Sequence, residues 1–212
     1  MKISRIVGIV AFSGALLIGS GVSAQDKEMA DKVEKVKNDK MRVDKSMKAD
    51  EKPVMVGGAK MFATQTIVEN ASRSNDHTTL VAAVKAADLV ETLNSEGPFT
   101  VFAPTNEAFD ALPDGQVADL LKPENKEALQ SILKYHVIPE KLSSKKLNKM
   151  MEENNGKAIL TTVQGGIVSV WTKDGKFYIT DENANTAEIT IADVKQSNGM
   201  IHVVNKVVLP KS

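Results

Sequence analysis

The hydrophobic pattern of this chain changes period once, near Gly156, and that change limits the folds open to it. Beyond Gly156 apolar residues alternate along five strand-like runs, "KAILTTV", "IVSVWT", "KFYIT", "AEITIADV" and "MIHVVNKVVL". "KDGK" and "SNGM" separate two pairs of these runs, and their Asp-Gly and Asn-Gly steps tolerate the positive φ of tight hairpins. Before Gly156 the spacing is helical. "DHTTLVAAVKAADLVETL" sets Leu80, Val81, Val84 and Leu89 near one face, with Asp76 in position to cap. "PFTVFAPT" is a short apolar strand ended by Pro104, while "NEAFDAL" and "QVADLL" suit short helical turns. "PENKEALQSILKYHV" is the clearest helix: Pro123 fits its first position, Glu124 and Glu127 favour its positive end, and Leu129, Ile132, Leu133 and His136 share a face. "SSKKLNKMMEEN" reads as a further helix with a Ser cap. Helices first and strands after predict an α+β domain, and no fixed-period repeat interrupts that order.

Two segments stand before the domain. Residues 1–24 combine "MKISR", the apolar "IVGIVAFSGALLIG" and the small-residue "VSA", which predicts a signal peptide cleaved after Ala24. Residues 25–60 are charge-rich, lack aromatics and end near a Pro and a Gly-Gly pair, the composition of a disordered linker. Met29, Val36 and Val43 recur every seven residues there, so a short coiled coil is the alternative, with Lys40 in its seam against it. The domain is then expected over 61–212. Gln25 stands where a lipoprotein would need Cys, and "VVLPKS" lacks the features of a lipid-anchor signal, so the expectation is export to the periplasm or medium without a membrane anchor.

Charge and composition narrow the chemistry. The 27 basic and 27 acidic side chains balance, and loss of Lys2 and Arg5 with the leader turns the chain slightly acidic, which argues against nucleic acid as a partner. With no Cys there is no disulfide, thiolate metal site or Cys nucleophile, and stability must come from packing. His77, His136 and His202 lack ligand partners at metal-binding spacing, and no nucleophile elbow, Ser-x-x-Lys pair or phosphate loop is present. The expectation is a protein that is not an enzyme and has no cofactor or metal.

"GPFTVFAPTNEAFDALP" has the look of an active-site lip, yet its residues have simpler roles. Glu107 and Asp110, three apart on a short helix, read as a solvated face, and Thr105 and Asn106 can satisfy N–H groups where a helix starts after Pro104. His136 and His202 both fall on apolar faces and read as hydrogen-bonded core histidines. Lys145, Lys146 and Lys149 make an ordinary basic helix face. Trp171 and Tyr178, on neighbouring strands, read as a cross-strand packing pair. Asn70-Ala71-Ser72 matches the glycosylation sequon, with nothing in the chain to say that it is used.

Three stretches, in order, resemble one family. "GPFTVFAPTNEAFDALP" is similar to the first signature box of the fasciclin domain, "LKYHVIP" to its central Tyr-His motif and "SNGMIHVVNKVVLP" to its terminal box. Together they span one domain of normal size over about 62–210. The resemblance implies a β-sheet wedge wrapped by helices and a non-enzymatic role in adhesion or extracellular interaction, with a protein or polysaccharide partner and a possibility of self-association. It also implies partner-binding candidates. Animal adhesion members associate an Asp-Ile pair before the terminal box with integrin recognition, and the aligned residues here are Asp193 and Val194, with Val in place of Ile. The Tyr-His pair is Tyr135-His136. Each pair can equally be structural, Val194 packing inward while Asp193 terminates hydrogen bonds. A different class of function, a carrier or sensor of a lipid or pigment in a cleft between sheet and helices, is the alternative that the family permits.

Overall fold

The computed structural model describes residues 52–113 and 115–211. The predicted signal peptide, and the predicted linker up to residue 51 with its heptad, lie outside the described residues.

The folded domain starts earlier than residue 61. Strands β1 (Val54–Val56) and β2 (Ala59–Met61) pair as a small antiparallel hairpin, turned by Gly57 and Gly58 at positive φ. Val56 and Met61 are buried in the core, 1% and 2% exposed. The charged composition of residues 25–60 masked this hairpin because its strands are only three residues long and Lys60 interrupts the second.

The helical half contains α1 (Ile67–Ala71), a 3₁₀ turn at Asn75–His77, α2 (Thr78–Ala86) and α3 (Val90–Asn94). It continues after strand β3 (Phe99–Pro104) with α4 (Asn106–Asp110), α5 (Gln116–Leu120), a 3₁₀ turn at Pro123–Asn125 and α6 (Lys126–Tyr135). The stretch expected as one helix from Asp76 is thus divided, with Asp88 at positive φ in the break. Asp76 does not cap it. Asn106 does so from a distance: its Oδ1 accepts from Thr79 N–H at 3.0 Å and Thr78 Oγ1 at 3.2 Å, and its Nδ2 donates to the Asn75 carbonyl at 2.8 Å. Thr105 caps α4 itself, accepting from Ala108 N–H. The "TNEAF" stretch therefore closes two helix ends, and Glu107 and Asp110 face solvent.

After β4 (Val137–Ile138) and α7 (Ser144–Glu153), capped by Ser143, come β5 (Lys157–Thr161), β6 (Ile167–Lys173), β7 (Lys176–Thr180), β8 (Thr186–Gln196) and β9 (Gly199–Val204). They form one seven-stranded sheet in the order β4-β3-β9-β8-β7-β6-β5. Its pairs are antiparallel except β3–β9, which is parallel and runs in register from Phe99↔Gly199 to Pro104↔Val204. The sheet almost closes: Val163 N–H, beyond the end of β5, donates to the Val137 carbonyl of β4 at 2.8 Å.

Because β3 and β9 are covered on both faces, they read as continuous apolar runs. Val101, Ala103, Ile201 and Val203 face a core closed by α1, α2 and α6. Phe102 and Val204 face a second core, inside the curled sheet, filled by Leu147 and Met151 of α7 and by Leu160, Val170 and Ile179. The fold is α+β, a sheet wedge wrapped by helices.

Candidate interaction surfaces

The Tyr-His pair ends α6, where both side chains point into the protein. Tyr135 O–H donates to the Ile167 carbonyl at 2.8 Å and accepts from Glu182 N–H at 3.2 Å. Burial pushes this phenol up to about 12, so it stays neutral. His136 Nδ1 lies 2.8 Å from the Ile132 carbonyl and must donate, which assigns the proton and leaves Nε2 to accept from Val208 N–H at 3.2 Å. Burial pushes His136 down to about 4 despite the nearby Asp181 carboxylate, so the ring is neutral near pH 7.

Asp181 works beside this pair. Its carboxylate accepts from Asn183 and Asn185 N–H, from Asn185 Nδ2 and, at 3.0 Å, from Leu209 N–H. Consecutive residues of the C-terminal run, Val208 and Leu209, are thereby held by His136 and Asp181. Asp181 escaped the sequence reading, although "DENAN" carries the signal: an Asp followed at two and four residues by Asn is a self-bonding turn.

Asp193 and Val194 lie in the irregular part of β8. Register shifts between Ile189 and Val194 mark bulging, and Asp193 sits there at φ 61°. Its Oδ1 accepts from Ser144 N–H at 2.7 Å and its Oδ2 from Ser144 Oγ, which fixes the first turn of α7 to β8. Asp193 N–H donates to His202 Nδ1 at 3.2 Å, and His202 Nε2–H donates to the Leu142 carbonyl at 2.8 Å. The His202 ring also stacks on Phe102, centroids 5.6 Å apart. Val194 is buried in the helix-side core. Of the four residues proposed for partner contact, Tyr135, His136 and Val194 are buried, His136 forming part of the wall of an apolar cleft beside Leu133 and Val137, and Asp193 lines a surface groove beside Val54, Met61 and Lys195. The structure does not bring the two pairs together.

The sequon is closed as well. Asn70 is 0% exposed; it exchanges hydrogen bonds with both backbone groups of Phe62 and donates to Gln196 Oε1. An oligosaccharide on Nδ2 would break this cluster.

Two further features of the described residues bear on ligand binding. The first is an apolar cleft between α1, α2, α3 and β3, lined by Val68, Leu80, Val84, Leu89 and Phe99 with Lys85 and Lys134 beside it, of about 60 Å³. The second is the outer face of β5–β8. Trp171 and Tyr178 face each other across β6 and β7, rings 4.9 Å apart and 25° from parallel. Trp171 Nε1–H donates to Thr180 Oγ1 at 2.9 Å, which lies 3.0 Å from Thr186 Oγ1. Ile159 and Ile167 stand on the same face, 53% and 47% exposed.

The comparisons with known proteins agree with one another. The Fasciclin domain family model matches residues 75–210. "Protein sll1483" of Synechocystis sp. is 46% identical over 164 residues, covering 77% of this chain and 84% of that protein. "Transforming growth factor-beta-induced protein ig-h3" of Sus scrofa is 38% identical over 145 residues, covering 68% of this chain but only 19% of its own length. "Immunogenic protein MPB70" of Mycobacterium bovis is 31% identical over 145 residues, covering 66% of each. Among solved structures, a FAS1 domain pair from the insect cell adhesion molecule Fasciclin I superposes with a TM-score of 0.61 at 22% identity, covering 68% of this chain and 51% of that one. That likeness bears on the fold, and the sequence relatives and family model carry the assignment: this chain belongs to the fasciclin-domain family.

Proposed function

We propose that the protein is an exported, non-enzymatic adhesion or extracellular-interaction module, which holds a protein or polysaccharide partner at the cell surface or in a matrix. In this reading residues 1–24 are removed on export to the periplasm or medium, and the charged residues that follow act as a spacer. The observation that carries it is where the signature residues spend their polar atoms. Tyr135, His136 and Asp193 are bonded to this chain's own backbone and to Ser144, so their motif supports the fold and leaves recognition to the surface. Membership of the fasciclin-domain family, with ig-h3 and MPB70 among its sequence relatives, supports the class of function.

A carrier of lipid or pigment fits less well, because the apolar cleft holds about 60 Å³, whereas ligand pockets run to roughly 300–1,000 Å³. The test is biolayer interferometry of the mature chain against envelope preparations and immobilised matrix polysaccharides. Saturable retention by either supports the module. No retention by any of them, together with a co-purifying apolar small molecule in native mass spectra, would favour the carrier instead.

A further inference from the structure

The outer face of β5–β8 carries a pattern that matches its own reverse. Across four adjacent strands one row runs Lys157, Trp171, Tyr178, Glu188, each the registered partner of the next. A cation stands at one end, an anion at the other, and two stacked rings fill the middle. Reversing the row sets cation against anion and ring against ring. A two-fold axis parallel to the strands, running between β6 and β7, performs that reversal between two sheets packed face to face.

We infer that this face is the docking site for a second copy of the chain. Lys157 of each copy meets Glu188 of the other, and Trp171 of each meets Tyr178 of the other; the same axis sets Lys173 of each towards Lys176 of the other, a like-charge contact at the solvent-exposed hairpin end that weakens the pairing. Lys157 makes no ion pair among the described residues, and Glu188, 2.9 Å from Lys176, keeps acceptor capacity for a second cation. Ile159 and Ile167 supply the apolar area removed from water, being about half exposed in the single chain. Docking strands no donor on the indole either, since the Trp171 N–H is already bonded to Thr180. An anionic polymer would meet Lys157, Lys173 and Lys176 but also Glu188, whereas a second copy pairs both ends of this row.

The face is small. Four strands about 4.8 Å apart and four to five residues long at about 3.3 Å per residue cover a few hundred Å², below the roughly 800 Å² per partner of stable complexes. Association is therefore weak, with Kd in the range of about 10 µM to 1 mM. Such pairing makes a one-domain chain bivalent for any outside partner, which multiplies a weak contact. The inference does not depend on the identity of that partner.

Sedimentation velocity on the mature chain from about 5 µM to about 1 mM tests it, using wild type, Lys157→Glu, Glu188→Lys and the double variant. Wild type should dimerise with concentration and less so at high salt. Each single reversal should raise Kd by about tenfold, and the double variant should recover, because it restores opposite charges across the axis. Both positions lie at the surface, and Ile167→Lys probes the same face without touching the charged row. A chain that stays monomeric throughout overturns the inference. So does a dimer indifferent to the single reversals or to Ile167→Lys, or one that the double variant fails to restore. A monomer that still binds envelope material would overturn this inference and leave the adhesion reading standing.

Discussion

His136 accepts a hydrogen bond from Val208 N–H through Nε2 at 3.2 Å, a bond between residues 72 apart in sequence that only the uncharged ring can make. Burial pushes the folded-state value to about 4, against about 6.5 for the unfolded chain. Between those values the unfolded chain takes up the proton and the folded one does not. The stabilisation is complete above about pH 6.5 and is lost as pH falls towards 4. At its limit the loss approaches about 3 kcal/mol for this residue. His77 and His202 are pushed down by burial as well and act in the same direction. Urea unfolding at pH 7.5, 6.0 and 5.0 should therefore give steadily lower stability, and His136→Phe should flatten the profile while lowering it at pH 7.5.

Asp193 combines two roles that substitutions separate. Asn at this position tolerates the φ of 61° and keeps one acceptor for Ser144, whereas Ala keeps neither advantage. Asp193→Ala should lower stability by about 2 kcal/mol and Asp193→Asn by about half of that. Thermal melts distinguish the two; equal melting temperatures for both variants and wild type would place Asp193 outside the fold's support.

Gly199 opens β9 against the start of β3. A Cβ there would collide with the Phe99 carbonyl, a backbone group in the parallel pair that has no rotamer by which to withdraw. Gly199→Ala should cost about 3 kcal/mol or more, at the upper end of overpacking effects. Loss of soluble protein, or a large drop in the urea midpoint, is the expected observation.

Much of this architecture was legible beforehand because periodicity reports local burial. The five strands after Gly156, the helix ending at Tyr135 and the Ser143 cap all follow from spacing and capping chemistry. "KDGK" behaves as its residues demand, with Asp174 and Gly175 both at positive φ. "SNGM" does not. Asn198 instead spends its side chain on Ile67 N–H and the carbonyls of Leu93 and Ser95, more than 100 residues away in sequence. Asn106 capping α2 and Asp181 holding Leu209 are likewise contacts made only once the chain has folded, which no local pattern records. Partner recognition was illegible for a related reason. The recognisable motifs are those whose side chains turn inward, and the candidate outer face consists of ordinary strand residues whose meaning lies in cross-strand register.

The most direct test of the central claim is equilibrium urea unfolding of Tyr135→Phe, run beside retention of envelope material by the same folded protein. The substitution removes one oxygen and leaves the Ile167 carbonyl and Glu182 N–H without it. If the motif supports the fold, stability falls by about 1–3 kcal/mol while retention by the folded protein equals wild type. Unchanged stability with lost retention would contradict the account and make Tyr135 a binding residue.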